Sequence, residues 1–189
     1  MKVILLGGNG YIGRAVTRQL LERVPDAQVI VVSRSGKNEL TDPRVSNIAV
    51  NVDDTEALVA ALPQGADCIF CLVGGLGGDE ANVEPVRSML AAADKLNIPV
   101  VGCIGGKLGS KEFTAAKAKA CELVRESGKP AVIVEPTLVY GAGRNDKLTK
   151  MVLLLKFAGL FSKNMRPVRV EDVAAEIVNG IISKVGVRA

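Results

Sequence analysis

Three glycines near the start of the chain are spaced so that they can hold a phosphate group. Gly7, Gly10 and Gly13 form a G-x-x-G-x-x-G pattern. Glycines at this spacing allow a tight turn, a close backbone approach to a pyrophosphate and close packing of a helix on a strand. The N-terminus of that helix also presents free N–H groups to an anion. The pattern predicts a dinucleotide-binding loop, although a glycine-rich turn without a ligand is the alternative. The predicted loop residues are Gly7, Gly8, Asn9, Gly10, Tyr11, Ile12 and Gly13.

The end of the second predicted strand indicates which dinucleotide is bound. An acidic residue about 20 residues beyond the loop would hydrogen-bond the ribose hydroxyls of NAD, but the segment 32–37 contains none. An arginine there can hold a 2′-phosphate through two parallel hydrogen bonds. We therefore expect Ser33 and Arg34, with Lys37 or Arg14, to favour NADP(H) over NAD(H). A solvated surface arginine is the alternative reading of Arg34.

Two further strand ends agree with a cofactor groove. Asn51 and Val52 follow the third predicted strand, where an adenine edge can be read. Val73, Gly74 and Gly75 follow the fourth strand and leave room for a cofactor ribose. Segments of this kind also occur in ordinary turns, so they are evidence for a cofactor site only because they agree with the first loop.

A lysine and an aromatic ring share one side of a later predicted helix. Phe113 and Lys117 are four residues apart, so their side chains point the same way. The lysine can bind a ligand, but the neighbouring ring has no hydroxyl to exchange a proton. Lys117 is the candidate catalytic residue, and a solvated helix lysine is the alternative.

The composition removes several classes of chemistry. The chain has 24 basic and 20 acidic residues and no histidine. Ser-His-Asp triads and histidine-ligated metals are therefore excluded, and any acid or base is Lys, Tyr, Cys, Asp or Glu. The basic residues are dispersed, so we expect no nucleic-acid partner. Cys68 and Cys71 form a C-x-x-C inside an apolar run, where we expect buried thiols and no metal site.

The two ends of the chain give expectations about location. We expect no signal peptide, because Met1 and Lys2 lead directly into a predicted strand. The apolar run 151–161 contains Lys156 and is shorter than the ~20 residues that a membrane-spanning helix needs. We therefore expect a cytoplasmic protein without an integral membrane segment.

Short β-branched runs alternate with longer helical patterns along the chain. This alternation predicts an α/β fold, a three-layer doubly wound parallel sheet. We expect one domain over residues 1–189, in which 142–189 form a short helical lid at the carboxyl edge of the sheet. The predicted strands are Lys2–Leu6, Gln28–Val32, Val45–Val50, Asp67–Val73, Pro99–Ile104 and Ala131–Val134. The predicted helices are Arg14–Arg23, Thr55–Leu62, Val83–Leu96, Phe113–Ser127, Lys147–Leu160 and one from Val170 to about Ser183.

Several of these segments, in this order, resemble motifs of the short-chain dehydrogenase/reductase superfamily. The likeness is greatest to its atypical members, including NmrA-like and flavin-reductase-like proteins, and it covers almost the whole chain. It implies a Rossmann fold that binds a nicotinamide dinucleotide, with Pro136 and Thr137 among the cofactor-binding residues. The segments that carry the resemblance are Gly7–Gly13, Val73–Gly75, the helix with Lys117, Val134–Gly141 and Pro167–Ala174.

In that superfamily a serine and a Tyr-x-x-x-Lys pair usually carry the chemistry. The resemblance implies that Lys117 holds the nicotinamide ribose, but Phe113 stands at the tyrosine position. Ile104, Gly105 and Gly106 stand where the serine would be. Because a positioned acid or base contributes ~10²–10⁴-fold in rate, ordinary interconversion of carbonyls and alcohols should be crippled.

Two functions remain, and an ordinary dehydrogenase ranks below both. The first is hydride transfer from NADP(H) to a flavin or quinone, where solvent supplies protons and the cofactor performs the difficult step. The alternative is a non-catalytic NADP(H) sensor or a binding module that supports a complex. The sequence does not name the small-molecule acceptor. The helices Val83–Leu96 and Phe113–Ser127 could pair in a homodimer or pack within a monomer.

Overall fold

The computed structural model of the chain describes residues 1–141 and 166–186, and the centre of this part is a six-stranded parallel sheet. Its strands are hydrogen-bonded in the order β3-β2-β1-β4-β5-β6. The order changes direction between β1 and β4, and ligands of open α/β sheets bind outside the carboxyl ends of the strands at such a point. The strands are β1 (Lys2–Leu6), β2 (Gln28–Ser33), β3 (Val45–Ala49), β4 (Cys68–Cys71), β5 (Val100–Ile104) and β6 (Ala131–Val134).

Helices cover both faces of this sheet, as the alternating pattern predicts. Successive residues of β1 enter different apolar clusters, because side chains of a strand alternate between faces. Val3 packs in the cluster that includes α1 and α6, whereas Ile4 packs in the cluster that includes α2, α4 and α5. Both side chains are fully buried. The helices are α1 (Tyr11–Arg23), α2 (Thr55–Ala61), α3 (Asp79–Asn82), α4 (Glu84–Lys95), α5 (Lys111–Glu126) and α6 (Val170–Val185).

Most element boundaries fall within one to three residues of their predicted positions. The predicted helix Val83–Leu96 is observed as α4, and a short helix that was not predicted, α3, precedes it. Pro85 lies in the first turn of α4, where its missing N–H is tolerated. Inside one continuous helix the same proline would remove a hydrogen bond, so the chain restarts the helix beside it.

The C-terminal part adds a helix and a separate two-stranded sheet. A short parallel pair, β7 (Val139–Tyr140) and β8 (Val168–Arg169), was not predicted. Helix α6 buries Ile177 and Ile181 against α1 and β6, so it lies on a face of the sheet rather than across its carboxyl edge. Residues 142–165 of the expected lid, which include the predicted helix Lys147–Leu160, lie outside the described residues.

The cysteines are buried thiols, as expected. Cys68 and Cys71 pack in the clusters on opposite faces of the sheet. Burial raises the pKa of the Cys71 thiol to about 11. Residues 1–141 and 166–186 contain no group of three or more side chains suited to hold a metal ion. Over the same ranges no helix has the length and apolar character required to cross a bilayer.

Candidate functional site

Two adjoining cavities open at the carboxyl edge of the sheet. The outer cavity, of about 620 Å³, lies over the ends of β1, β2 and β3. The inner cavity, of about 280 Å³, lies over the ends of β5 and β6. Leu72, Gly74 and Gly75 line both, so the two cavities form one groove across the point where the strand order changes direction.

The groove brings most of the predicted site residues together. Gly8, Tyr11, Gly13 and Lys37 line neither cavity. The predicted residues that line the outer cavity are Gly7, Asn9, Gly10, Ser33, Arg34, Asn51, Val52, Val73, Gly74 and Gly75. Those that line the inner cavity are Ile12, Gly74, Gly75, Lys117, Pro136 and Thr137.

The glycine loop has the geometry that phosphate binding requires. Gly7 has a φ of +80°, which favours glycine, and the N–H of Gly10 donates to its carbonyl oxygen at 2.9 Å. Gly10 is the N-cap residue of α1, and no side chain caps this helix end. The first N–H groups of α1 have no partner within the helix, and Gly10 itself lines the outer cavity. This end of α1 is therefore suited to bind an anion.

Three of the predicted loop residues act through packing or hydrogen bonding outside the cavities. A Cβ added at Gly13 would lie 2.5 Å from the backbone of Gly8, so two glycines are needed where α1 crosses the loop. A Cβ at Gly8 would itself lie 2.9 Å from the Val31 side chain. The Tyr11 hydroxyl donates to the carbonyl oxygen of Gly141 at 2.7 Å. Gly8, Tyr11 and Gly13 thus fix the loop without lining the groove.

Asn9 and Ser33 connect the glycine loop to the end of β2. Asn9 Nδ2 donates to Ser33 Oγ at 2.9 Å and also to the carbonyl oxygen of Lys37. Asn9 Oδ1 is buried and has no hydrogen-bond partner within residues 1–141 and 166–186. Because Asn9 lines the outer cavity, this oxygen can accept a hydrogen bond from a ligand hydroxyl. Lys37 contributes its backbone to this arrangement.

The two arginines considered for a 2′-phosphate differ in their surroundings. Arg34 is exposed and lines the outer cavity, and its guanidinium makes no hydrogen bond or ion pair with residues of the described ranges. Arg14 Nη1 lies 2.7 Å from Glu39 Oε2 in an ion pair. Arg34 is therefore the arginine that is free to bind an anionic ligand.

The outer cavity also contains two acidic residues that sequence reasoning did not select. Asp53 follows Val52 directly, and Glu80 lies at the start of α3. Carboxylates accept hydrogen bonds from hydroxyl and amino groups, both of which a nucleoside presents. Asp53 could have been found by extending the predicted segment Asn51-Val52 by one residue.

Lys117 is buried at the inner cavity, so the alternative of a solvated helix lysine is wrong. Its side chain is 5% exposed, and Nζ donates to the carbonyl oxygen of Ile104 at 3.3 Å. A Cβ added at Gly74 would lie 2.4 Å from Nζ, so the lysine occupies space that only glycine leaves there. Burial lowers the pKa of Lys117 from its ordinary value of 10.5. Burial thus disfavours the charged form of this amine.

Phe113 lines the inner cavity beside Lys117 and fits against two glycines. Cβ atoms added at Gly106 and Gly109 would lie 2.9 Å and 2.6 Å from its ring. Ser110 is engaged elsewhere, because its Oγ caps α5 by accepting from the Phe113 N–H at 3.2 Å. The Thr137 hydroxyl donates to the carbonyl oxygen of Arg166. Lys117 is the one titratable side chain among the described residues that line this cavity.

Asn82 fixes the loop between the two cavities, and sequence reasoning missed it. It is fully buried, and its Oδ1 accepts from the N–H of Gly75 at 3.2 Å. Its Nδ2 lies at 3.1 Å, 2.6 Å and 3.0 Å from the carbonyl oxygens of Gly75, Gly77 and Gly78. The sequence indicated this role only through the glycines of segment 74–78, which need a partner to hold them in one conformation.

Comparison with known proteins places the groove in context. Residues 7–182 match a family described as NAD(P)H-binding. Among curated proteins, the chain is similar to an uncharacterized chloroplastic protein of Arabidopsis thaliana. The two are 23% identical over 217 residues, which cover 95% of this chain and 71% of the plant protein.

Solved structures with the same fold also concern nicotinamide dinucleotides. A Rossmann-fold NAD(P)-binding family protein from Shigella flexneri aligns with a TM-score of 0.73 at 22% identity, over 95% of this chain and 85% of that one. A dTDP-glucose 4,6-dehydratase variant from Streptomyces venezuelae, solved with NAD bound, aligns with a TM-score of 0.72 at 20% identity. That alignment covers 100% of this chain and 73% of the dehydratase. These similarities establish a Rossmann-like fold.

Removing the Asn82 side chain should destabilise the protein. Asn82→Ala leaves one buried N–H and three carbonyl groups of the Gly75–Gly78 loop without their partner. We expect the free energy of unfolding, measured with urea, to fall by about 2 kcal/mol or more. The matched control is Asn47→Ala at an exposed asparagine of β3, which should change it by about 0.5 kcal/mol at most. Equal effects of the two substitutions would contradict the role given to Asn82.

Lys117 should make the stability of the ligand-free protein depend on pH. Between the lowered pKa of the folded state and the ordinary 10.5, the unfolded chain binds more protons than the folded one. The free energy of unfolding therefore rises with pH in that window. Lys117→Met removes this contribution, so its stabilising effect should be largest near neutral pH and shrink towards pH 10.5. Urea unfolding across this range checks it, with the exposed Lys111→Met as control, and a pH-independent effect of Lys117→Met would refute it.

Proposed function

We propose that this protein, which belongs to the NAD(P)H-binding family, is an NADPH-dependent reductase of a flavin- or quinone-type acceptor. Its structural neighbours lie in the atypical short-chain dehydrogenase/reductase and epimerase superfamily. One observation carries the proposal. The outer cavity, with its phosphate loop and free Arg34, continues into an inner cavity that contains buried Lys117 but no tyrosine among its described lining residues. This groove can bind and orient a dinucleotide without offering the usual proton donor.

Each part of the groove suits one part of NADP(H). The uncapped end of α1 at Gly10 binds the pyrophosphate, and Arg34 with Ser33 binds the 2′-phosphate. Asn51, Val52 and Asp53 lie on the adenine side of the outer cavity, and the unpartnered Asn9 Oδ1 accepts from a hydroxyl. Lys117 holds the nicotinamide ribose at the inner cavity, where Pro136 and Thr137 line the opposite wall.

The inner cavity suits hydride transfer that needs no protein acid. When bound, NADPH supplies the hydride, and solvent supplies the proton that completes the two-electron reduction of the acceptor. The protein positions the reacting rings and limits access of water through a mostly apolar wall. Phe113 occupies the place at which a proton donor would stand, so reduction of simple ketones should be slow.

Phe113 also favours a second candidate, a non-catalytic NADP(H) sensor. Its ring is fitted closely to Gly106 and Gly109, so the absence of a hydroxyl is built into the local packing. A sensor would use the same groove and the same contacts to the cofactor. It would differ from the reductase only in producing no NADP⁺.

Titration of the purified protein with NADPH and NADP⁺, followed by flavins and quinones, tests the proposal. We expect saturable binding of both nucleotides and oxidation of NADPH at least about tenfold above the rate without protein, because positioning alone contributes that much. Binding without oxidation would favour the sensor. Failure to bind either nucleotide would refute both candidates.

The choice between NADP(H) and NAD(H) depends on Arg34. Arg34→Asp removes a charge-assisted contact to the 2′-phosphate and adds repulsion, so the Kd of NADPH should rise about 10- to 100-fold. The Kd of NADH should change little, because NADH has no 2′-phosphate. The control is Arg18→Asp, an exposed arginine of α1 that makes the same change in charge outside the groove. Equal losses for NADPH and NADH in Arg34→Asp would show that Arg34 does not recognise the 2′-phosphate.

A further inference from the structure

The mouth of the inner cavity carries two exposed leucines. Leu76 is 85% exposed and Leu108 is 36% exposed, and they are the large apolar side chains that the described residues leave open to solvent. Single exposed leucines are common on protein surfaces. Here, however, both line the same cavity, which makes them a feature of that cavity. We call these two residues the apolar rim.

Each residue of the rim is held by a fixed segment of backbone. Leu76 lies in the glycine loop that Asn82 binds at Gly75, Gly77 and Gly78. Leu108 follows Lys107, whose N–H donates to the carbonyl oxygen of Pro136 at 3.0 Å. The rim is therefore formed before a ligand arrives, and preformed contacts reduce the entropy lost on binding.

The wall below the rim offers little to a charged ligand. Ile104, Phe113 and Leu138 contribute apolar surface, and Lys117 is the one titratable side chain among the described lining residues. That amine is 5% exposed and already donates to Ile104. In the proposed function the remaining N–H groups of that amine hold the nicotinamide ribose, so a carboxylate or sulfonate beside the leucines would lose part of its hydration without gaining a cationic partner among the described lining residues. An uncharged ring would lose only apolar hydration.

We propose that the apolar rim binds an uncharged planar ring and that the acceptor is accordingly a quinone without an acidic substituent. This inference rests on the proposed function, because it names the class of acceptor used at the same groove. In the reaction, the hydride leaves NADPH as NADP⁺ forms, and the quinone takes up the hydride and one proton from solvent to become the hydroquinone. Leu76 and Leu108 hold the ring and take no part in proton transfer.

Binding of menadione to the protein–NADP⁺ complex, measured by calorimetry, tests this inference. Leu76→Asn and Leu108→Asn should each raise the Kd of menadione about fivefold to tenfold, because each substitution removes part of the apolar surface that contacts the ring. Leu76→Met and Leu108→Met, which keep the apolar surface, should stay within about twofold. In all four variants the Kd of NADPH should change less than that of menadione, and a naphthoquinone sulfonate should bind more weakly than menadione.

The outcomes separate this inference from the proposed function. Two results would overturn the role of the apolar rim in quinone binding without affecting the proposed oxidation of NADPH. One is an unchanged Kd of menadione in the double variant Leu76→Asn with Leu108→Asn, and the other is equal binding of menadione and the sulfonate. Absence of NADPH binding overturns the proposed function and the rim together. Menadione binding that depends on both leucines, without oxidation of NADPH, supports the rim and overturns the reductase activity.

Discussion

A buried lysine amine with no carboxylate partner among the described residues is the constraint on which the site depends. Within that part of the chain, Lys117 Nζ donates to the carbonyl oxygen of Ile104 and lies against the bare backbone of Gly74. An amine in this position needs a backbone acceptor at the end of β5 and the absence of a side chain after β4. It also needs the loop after Gly74 to stay in place, which is the contribution of Asn82. The wall that the two cavities share, formed by Leu72, Gly74 and Gly75, therefore depends on the position of the Lys117 amine.

The polar groups are divided between the two parts of the groove. The outer cavity contains the uncapped end of α1, Arg34 and two carboxylates, so it can exchange hydrogen bonds with phosphates, riboses and a base. The inner cavity is mostly apolar around Lys117. A charged cofactor fits such a division, because its phosphates stay at the polar end while its reacting ring enters a region of low polarity. The electrostatic interactions of Lys117 are stronger in that region than in water.

The sequence predicted the parts of this protein that depend on local patterns. The alternating strands and helices and the position of the glycine loop between a strand and a helix both follow from periodicities of the backbone. Asn82 could not be selected, because its function depends on where a flexible glycine run folds back. The division of α3 from α4 depends on Pro85, and the β7 and β8 pair joins segments separated along the chain. The burial of Lys117 could not be predicted either, because helix periodicity shows which side of the helix a residue lies on but not how deeply its side chain is buried.

The hydrogen bond between Tyr11 and Gly141 has a consequence for the optical properties of the protein. The chain has two tyrosines and no tryptophan, so its near-ultraviolet emission comes from Tyr11 and Tyr140. Tyr11 follows the glycine loop and reaches Gly141, and Tyr140 is the residue just before Gly141. Both fluorophores are thus gathered in one small region of a chain of 189 residues. Intrinsic fluorescence of this protein is consequently a local probe of that region rather than an average over the whole fold.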